Sequence, residues 1–187
     1  LALALSIEPK FAQNVARIVV MGGAVYVPGN VSPVASANLY EDPESAAIVY
    51  SSGTPLVQVG LDVCNKVHIS QSQLERIKQA DTPTTRLLSA ATPSLQQSYS
   101  ERGLLMEDDG VRYNDLPAIT FMIDPELFDC SEMFVEIETQ STTARGQTFA
   151  QHIGPDTGRP TATVSLEVDG GRAAALFTER ITGYLAS

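Results

Sequence analysis

Tryptophan is absent from these 187 residues, and cysteine and histidine occur only twice each. Cys64 and Cys130 form no C-x-x-C pair, and His68 and His152 are too few to complete a Cys/His zinc site with them. The thiols read as free, buried or half-buried cysteines of a reducing cytosol, so the expected location is cytoplasmic. Basic residues are also scarce. Twelve Lys and Arg stand against 22 Asp and Glu, a net charge of −10. Such a surface repels polyanions, which argues against nucleic acid and against an anionic membrane as partners. No run approaches the roughly 18 consecutive apolar residues of a membrane-spanning helix. The opening Leu1-Ala2-Leu3-Ala4-Leu5 lacks a basic flank and soon meets Glu8 and Lys10, so it does not read as a signal peptide. It begins without Met and inside a helical pattern, from which we expect a polypeptide that once continued upstream. There is no G-x-G-x-x-G, no P-loop, no G-x-S-x-G and no H-E-x-x-H, which removes the corresponding nucleotide, serine hydrolase and metalloprotease chemistries.

What is present is a globular balance, 43% apolar and 18% charged. A chain of this length buries about 70% of the surface it exposes when unfolded and suits one domain over residues 1–187. Ile18-Val19-Val20-Met21 is β-branched, apolar and closed by Gly22-Gly23, the pattern of a parallel strand buried on both faces. A long loop is expected from Gly22 to about Tyr40. Asp42-Pro43-Glu44 then opens a helix that Gly53 ends. Pro55 to Val59 reads as a second buried strand. Ser70 and Gln73 form a capping box for a helix, and a polar helix follows from Thr82 to Glu101 with a break expected at Pro93. Leu116 to Ile123 reads as another helix. The pattern then changes to period two over 133–139 and 162–168, as in half-exposed antiparallel strands. Asp169 caps a last helix with Ala173, Leu176, Phe177, Ile181 and Leu185 at helical spacing. Strand–helix alternation followed by a strand pair predicts an α/β domain with a mixed sheet. The acidic run Glu107-Asp108-Asp109-Gly110 lacks EF-hand spacing and reads as a solvated turn.

Open α/β sheets bind ligands at the carboxyl ends of their strands. The loop after the first strand therefore draws the functional reading. It carries Gly22, Gly23, Pro28-Gly29-Asn30, Asn38 and Asp42. Asn30 and Asn38 each offer a donor and an acceptor, as a polyhydroxylated ligand such as a sugar requires. The same residues also suit turns, since Asn beside Gly is ordinary turn chemistry.

The order of these residues carries more. Met21-Gly22-Gly23-Ala24, Gly29-Asn30-Val31-x-Pro33, Asn38, Asp42-Pro43-Glu44-x-Ala46-Ala47 and Gly60-Leu61-Asp62-Val63 together resemble the inosine/uridine-preferring nucleoside hydrolases. Asn114-Asp115-Leu116-Pro117-Ala118 falls where that family has His-Asp-Pro-Leu-Ala, and Asp124-Pro125-Glu126-Leu127 and Thr143-Ala144-Arg145-Gly146 match later landmarks in the right order. The resemblance covers nearly the whole chain and corresponds to the family's C-terminal part. It implies an open mixed, mainly parallel sheet with flanking helices, incomplete at the N-terminus.

The implied activity is hydrolysis of the N-glycosidic bond of ribonucleosides, with a calcium ion binding the ribose diol and the nucleophilic water. By position, Asp115 resembles the late calcium-ligating aspartate. Asn30 and Asn38 resemble the ribose-contacting asparagines, Met21 a methionine beside the sugar, and Asn114 the residue facing the leaving base. Asp115 as the N-cap of the following helix is the competing reading. Tyr113 reads either as a base-side residue or as a core tyrosine. Three departures stand out. The Asp-rich D-x-D-x-G-x-D-D motif, which supplies the base that activates water, does not occur. Ser36 stands in place of a ribose-bonding glutamate. Asn114 replaces a histidine and cannot shuttle a proton near neutral pH. The chain alone is therefore expected to be inactive, with ribonucleoside or ribose as ligand and a homo-oligomer or a complementing N-terminal chain as partner. A non-catalytic ribose-binding module, or an interaction subunit of the same fold, is the alternative.

Overall fold

Short β-branched runs fix the centre of the fold. In the computed structural model, Ile18–Met21 forms β1, Leu56–Val59 β2, Phe128–Ile137 β3, Thr148–His152 β4 and Ala162–Val168 β5. Residues 1–8, 10–104, 108–154 and 158–183 are described. Contacts divide the chain into two compact units, Leu1–Cys64 with Phe128–Val168, and Asn65–Leu127 with Asp169–Ser187.

The first unit holds the sheet, in the order β1-β2-β5-β3-β4. β1–β2 and β2–β5 pair in parallel, while β3–β5 and β3–β4 are antiparallel. This is the expected mixed α/β sheet, with α1 (Ala2–Ile7), α2 (Phe11–Asn14), α3 (Ala37–Glu41), α4 (Pro43–Tyr50) and α5 (Leu61–Cys64) in the same unit. The core joins Ile18, Leu39, Val49, Tyr50, Leu56, Met133, Val135 and Val164. Each such side chain removed from water contributes about 1.5–3 kcal/mol before entropy is counted.

Three expectations are corrected and one element is added. β1 is buried only at Ile18, and Val19, Val20 and Met21 are half-buried, because among the described residues β1 stands at the end of the sheet. Conversely, β5 is no half-exposed partner of β3 alone. It lies between β2 and β3, with Val164 and Ser165 fully buried. The loop expected over 22–40 contains α3. β4 also had no reading, since Thr-Phe-Ala-Gln-His shows no run of strand formers.

The second unit is helical: α6 (Gln71–Ala80), α7 (Pro83–Glu101), α8 (Leu116–Ile123) and α9 (Gly170–Gly183). The Ser70 capping box opens α6 as expected. Helix α7 runs through Pro93 without breaking. A proline costs a helix one i→i−4 bond, and here the hydroxyl of Thr92 donates to Leu88 O at 2.7 Å in the same turn. The Asp169 carboxylate accepts from the Arg172 amide at 3.0 Å and starts α9. Of the readings above, Glu107 and Leu185 lie outside the described residues. Among the described residues no helix is long and apolar enough to cross a membrane.

Candidate functional site

The carboxyl ends of β1 and β2 lead into Gly22-Gly23 and Gly60, and the loop after β1 is folded by its own polar side chains. Gly29 makes the tightest turn. A Cβ there would stand 2.1 Å from the Ala35 carbonyl oxygen and 2.4 Å from Ser32 O, so only glycine fits. That turn presents Asn30, whose Oδ1 accepts from the Ala37 amide at 2.8 Å and so satisfies a free N–H at the start of α3. One residue on, Asn38 is exposed and donates from Nδ2 to the Met21 carbonyl at 2.9 Å and to Met21 Sδ at 3.2 Å. The structure therefore seats Asn38, on α3, against Met21 at the end of β1, and ties Asn30 to the first residue of that helix.

Ser36 is buried, and its Oγ accepts from the Gly23 amide at 2.7 Å. Its hydroxyl ties the loop to the Gly22-Gly23 turn, a use the sequence reading did not foresee. Asp62 was likewise read only as part of a motif. It is 3% exposed, and its two oxygens accept from the Val25 and Tyr26 amides at 2.9 and 2.8 Å. An acid following an apolar strand and Gly60 was the available signal. Gln58, on β2, is fully buried beneath this turn. Its Oε1 accepts from the Tyr50 hydroxyl at 2.8 Å, and burial pushes the Tyr50 phenol far above its ordinary value.

Asn114 and Asp115 belong to the second unit, at the start of α8. Asp115 occupies the N-cap position, yet its side chain makes no cap hydrogen bond and the residue is exposed. The capping alternative thus gains no support from the geometry. Asn114 is half-buried and engaged in contacts of its own. Tyr113 packs inside this unit, its hydroxyl against Thr92 and its ring 6.3 Å from that of Phe177. Burial raises its pKa and the Thr92 hydrogen bond opposes that shift. Cys64 is buried and Cys130 exposed, neither in a disulfide, and partial burial raises the Cys130 pKa.

Calcium takes six to eight oxygen ligands. Among the described residues no group of three or more His, Cys, Asp or Glu side chains could hold a metal. Asp115 alone does not make a calcium site, and the described residues do not fit the ion by themselves.

The family model for inosine-uridine preferring nucleoside hydrolases matches residues 1–175. The chain is 33% identical over 185 residues to the pyrimidine-specific ribonucleoside hydrolase RihA of Salmonella typhimurium, covering 98% of this chain and 58% of that protein. Among solved structures, a plant nucleoside hydrolase, the PpNRh1 enzyme, superposes with TM-score 0.86 at 30% identity, over 97% of this chain and 58% of that one. The purine-preferring ribonucleoside hydrolase from Gardnerella vaginalis superposes with TM-score 0.85 at 26% identity, over 97% and 57%. The chain thus spans a little under three fifths of the length of these relatives. A sheet in this order, a glycine-gated asparagine loop after its first strand and a match over 175 residues agree on one conclusion: the chain belongs to the inosine-uridine preferring nucleoside hydrolase family.

Proposed function

We propose that this chain supplies the sugar-facing loop of a nucleoside N-ribohydrolase and does not hydrolyse nucleosides by itself. The observation that carries the reading is the seating of Asn38 on Met21 at the carboxyl end of β1, with Asn30 bonded to the first amide of the short helix that carries Asn38. Relatives named for pyrimidine and for purine preference match over the same span, so the substrate class is the ribonucleoside.

Glycosidic cleavage of this kind passes through an oxocarbenium-like transition state, which needs an activated water, a held sugar and help for the leaving group. Asn38 serves the second need through Oδ1, the atom its Met21 contacts leave over, as acceptor for a ribose hydroxyl, with Asn30 on the same loop as its proposed companion. The first need has no base here. The Ser36 hydroxyl already accepts from Gly23 and carries no charge to set beside a developing cation. Asn114 can donate a hydrogen bond to a departing base but cannot deliver a proton, a loss of about 10² or more in rate. Calcium, when bound, would acidify and orient water. Asp115 is the one residue of this chain that the family resemblance makes a ligand, and its other ligands would come from an Asp-rich segment beyond these residues. We place that segment, or a second copy of the chain, against the free edge of β1, in a cytoplasmic setting.

A ribose-release assay on the purified 187-residue chain with inosine or uridine and calcium is expected to give no turnover above background. Turnover that Asp115→Ala abolishes would overturn the reading. A second reading, a ribose-binding module without catalysis, is favoured by Asn114. It would be established by nucleoside binding without release in a protein that carries the Asp-rich segment.

A further inference from the structure

We propose that Arg145 is a positioning residue for the sugar-facing loop, holding α3 so that Asn38 stays seated on Met21. The inference rests on the functional reading above for its consequence in catalysis, but not for its geometry.

Helix α3 has five residues, too few to be stable alone, so outside ties decide where it sits. Asn38 is exposed, and water competes for its amide. Its bond to Met21 therefore depends on where the helix is held. The ties come from a segment about a hundred residues away. Arg145 Nη1 and Nη2 donate to Glu44 Oε1 and Oε2 at 3.0 and 3.2 Å, and Nε donates to the Tyr40 carbonyl at 3.2 Å. The guanidinium thus grips the end of α3 and the first turn of α4 at once. A lysine ammonium, a point donor, cannot reproduce that fork. The pair registers electrostatically as well: the Arg145 hydrogen bond lowers the Glu44 pKa, and the Glu44 hydrogen bond raises that of Arg145.

The next three residues press on the same loop. Gly146 has φ +72°, and a Cβ there would stand 2.6 Å from Tyr40 Cα and 2.8 Å from Leu39 O, so the two backbones touch directly. Gln147 bridges to Ala35, and Thr148 Oγ1 accepts from the Ala24 amide at 3.4 Å. Four consecutive residues therefore hold the loop at Ala24, Ala35, Leu39–Tyr40 and Glu44. Arg145 is the one among them whose charged side chain spans two helices.

The chain has four methionines, so ¹³C-methyl methionine spectra give a sparse reporter set. Asn38→Ala assigns the Met21 signal and shows its position once the Asn38 contact is lost. In Arg145→Ala the Met21 methyl signal is expected to move toward that position, while Met133, fully buried in the core, stays put. Arg145→Lys and Glu44→Gln, which keep bulk and fold, are expected to move it part of the way. A Met21 signal at its wild-type position in both Arg145→Ala and Glu44→Gln overturns the proposal. In the protein carrying the Asp-rich segment, Arg145→Ala is expected to raise KM about tenfold and leave kcat within about threefold, a loss of ground-state positioning. If Met21 moves and KM does not, the clamp stands, and the sugar-facing reading of the loop falls instead.

Discussion

Asp62 shows how a single residue can serve the site without touching a ligand. Its carboxylate takes two backbone amides of the loop, and almost none of it meets water. Asp62→Asn keeps the shape but turns one acceptor into a donor, which would face an N–H. A hydrogen bond to a charged group is worth about 1.5–3 kcal/mol, and a buried unpaired N–H costs about 1–3 kcal/mol more. We expect Asp62→Asn to lower stability by about 2.5–6 kcal/mol, seen as a lower urea midpoint at unchanged slope. A midpoint within error of wild type would show that the loop does not need this carboxylate. The sequence made Asn30, Asn38 and Met21 legible because glycines and motif order mark the loop. Asp62 and Ser36 escaped that reading because their partners are backbone groups, which carry no residue signature, and Arg145 because its carboxylate partner Glu44 lies 101 residues away in the chain. An acid that binds two amides looks the same in sequence as any acid near a turn.

Elements with local signals were read well. Asp42 does cap α4, its side chain accepting from the Ser45 amide at 2.9 Å, with Pro43 in the first turn. The capping box of α6 and the Asp169 cap of α9 likewise sit within four residues of the groups they satisfy. α3 and β4 lacked such signals because neither is stable locally. α3 is held by Arg145, Gly146 and Asn30, and β4 by its pairing with β3. The tie between α4 and Arg145 is also titratable. Hydrogen bonds from Ser45 lower the Asp42 pKa, and the hydrogen bond from Arg145 lowers that of Glu44, from ordinary values of 3.8 and 4.5. A lowered native pKa means that the stabilisation is full above the unfolded value and is lost as pH falls through the native one. Between pH 7 and 5 the loop should be unaffected. In more acid solution amide exchange at Tyr40, Glu41 and Ser45 should accelerate, and Glu44→Gln should remove the part of that change due to the clamp. Exchange at these amides that rises already between pH 7 and 5 would assign the tie to other groups.

At the scale of the molecule, the free edge of β1 ties the fold to the proposed partner. Ile18 donates to Pro55 O and Gly22 to Val59 O, so the even-numbered residues of β1 face β2. In a strand the intervening residues face the opposite way, so the N–H groups of Val19 and Met21 point to the open edge. Asn38 already covers the Met21 carbonyl there. Among the described residues β1 stands at the end of the sheet, and an uncovered row of this kind invites a further strand. The chain, which matches 58% of a curated relative, is therefore expected to associate in size-exclusion chromatography as its concentration rises, through β1. Proline separates edge pairing from general stickiness. Val19→Pro deletes an outward N–H, spares the β1–β2 ladder and should restore a 20.0 kDa species. Val20→Pro deletes an N–H that the parallel register directs at β2, and should unfold the sheet margin instead. A wild-type chain that elutes as a monomer at every concentration, or a Val19→Pro variant that associates as before, would take the partner off this edge.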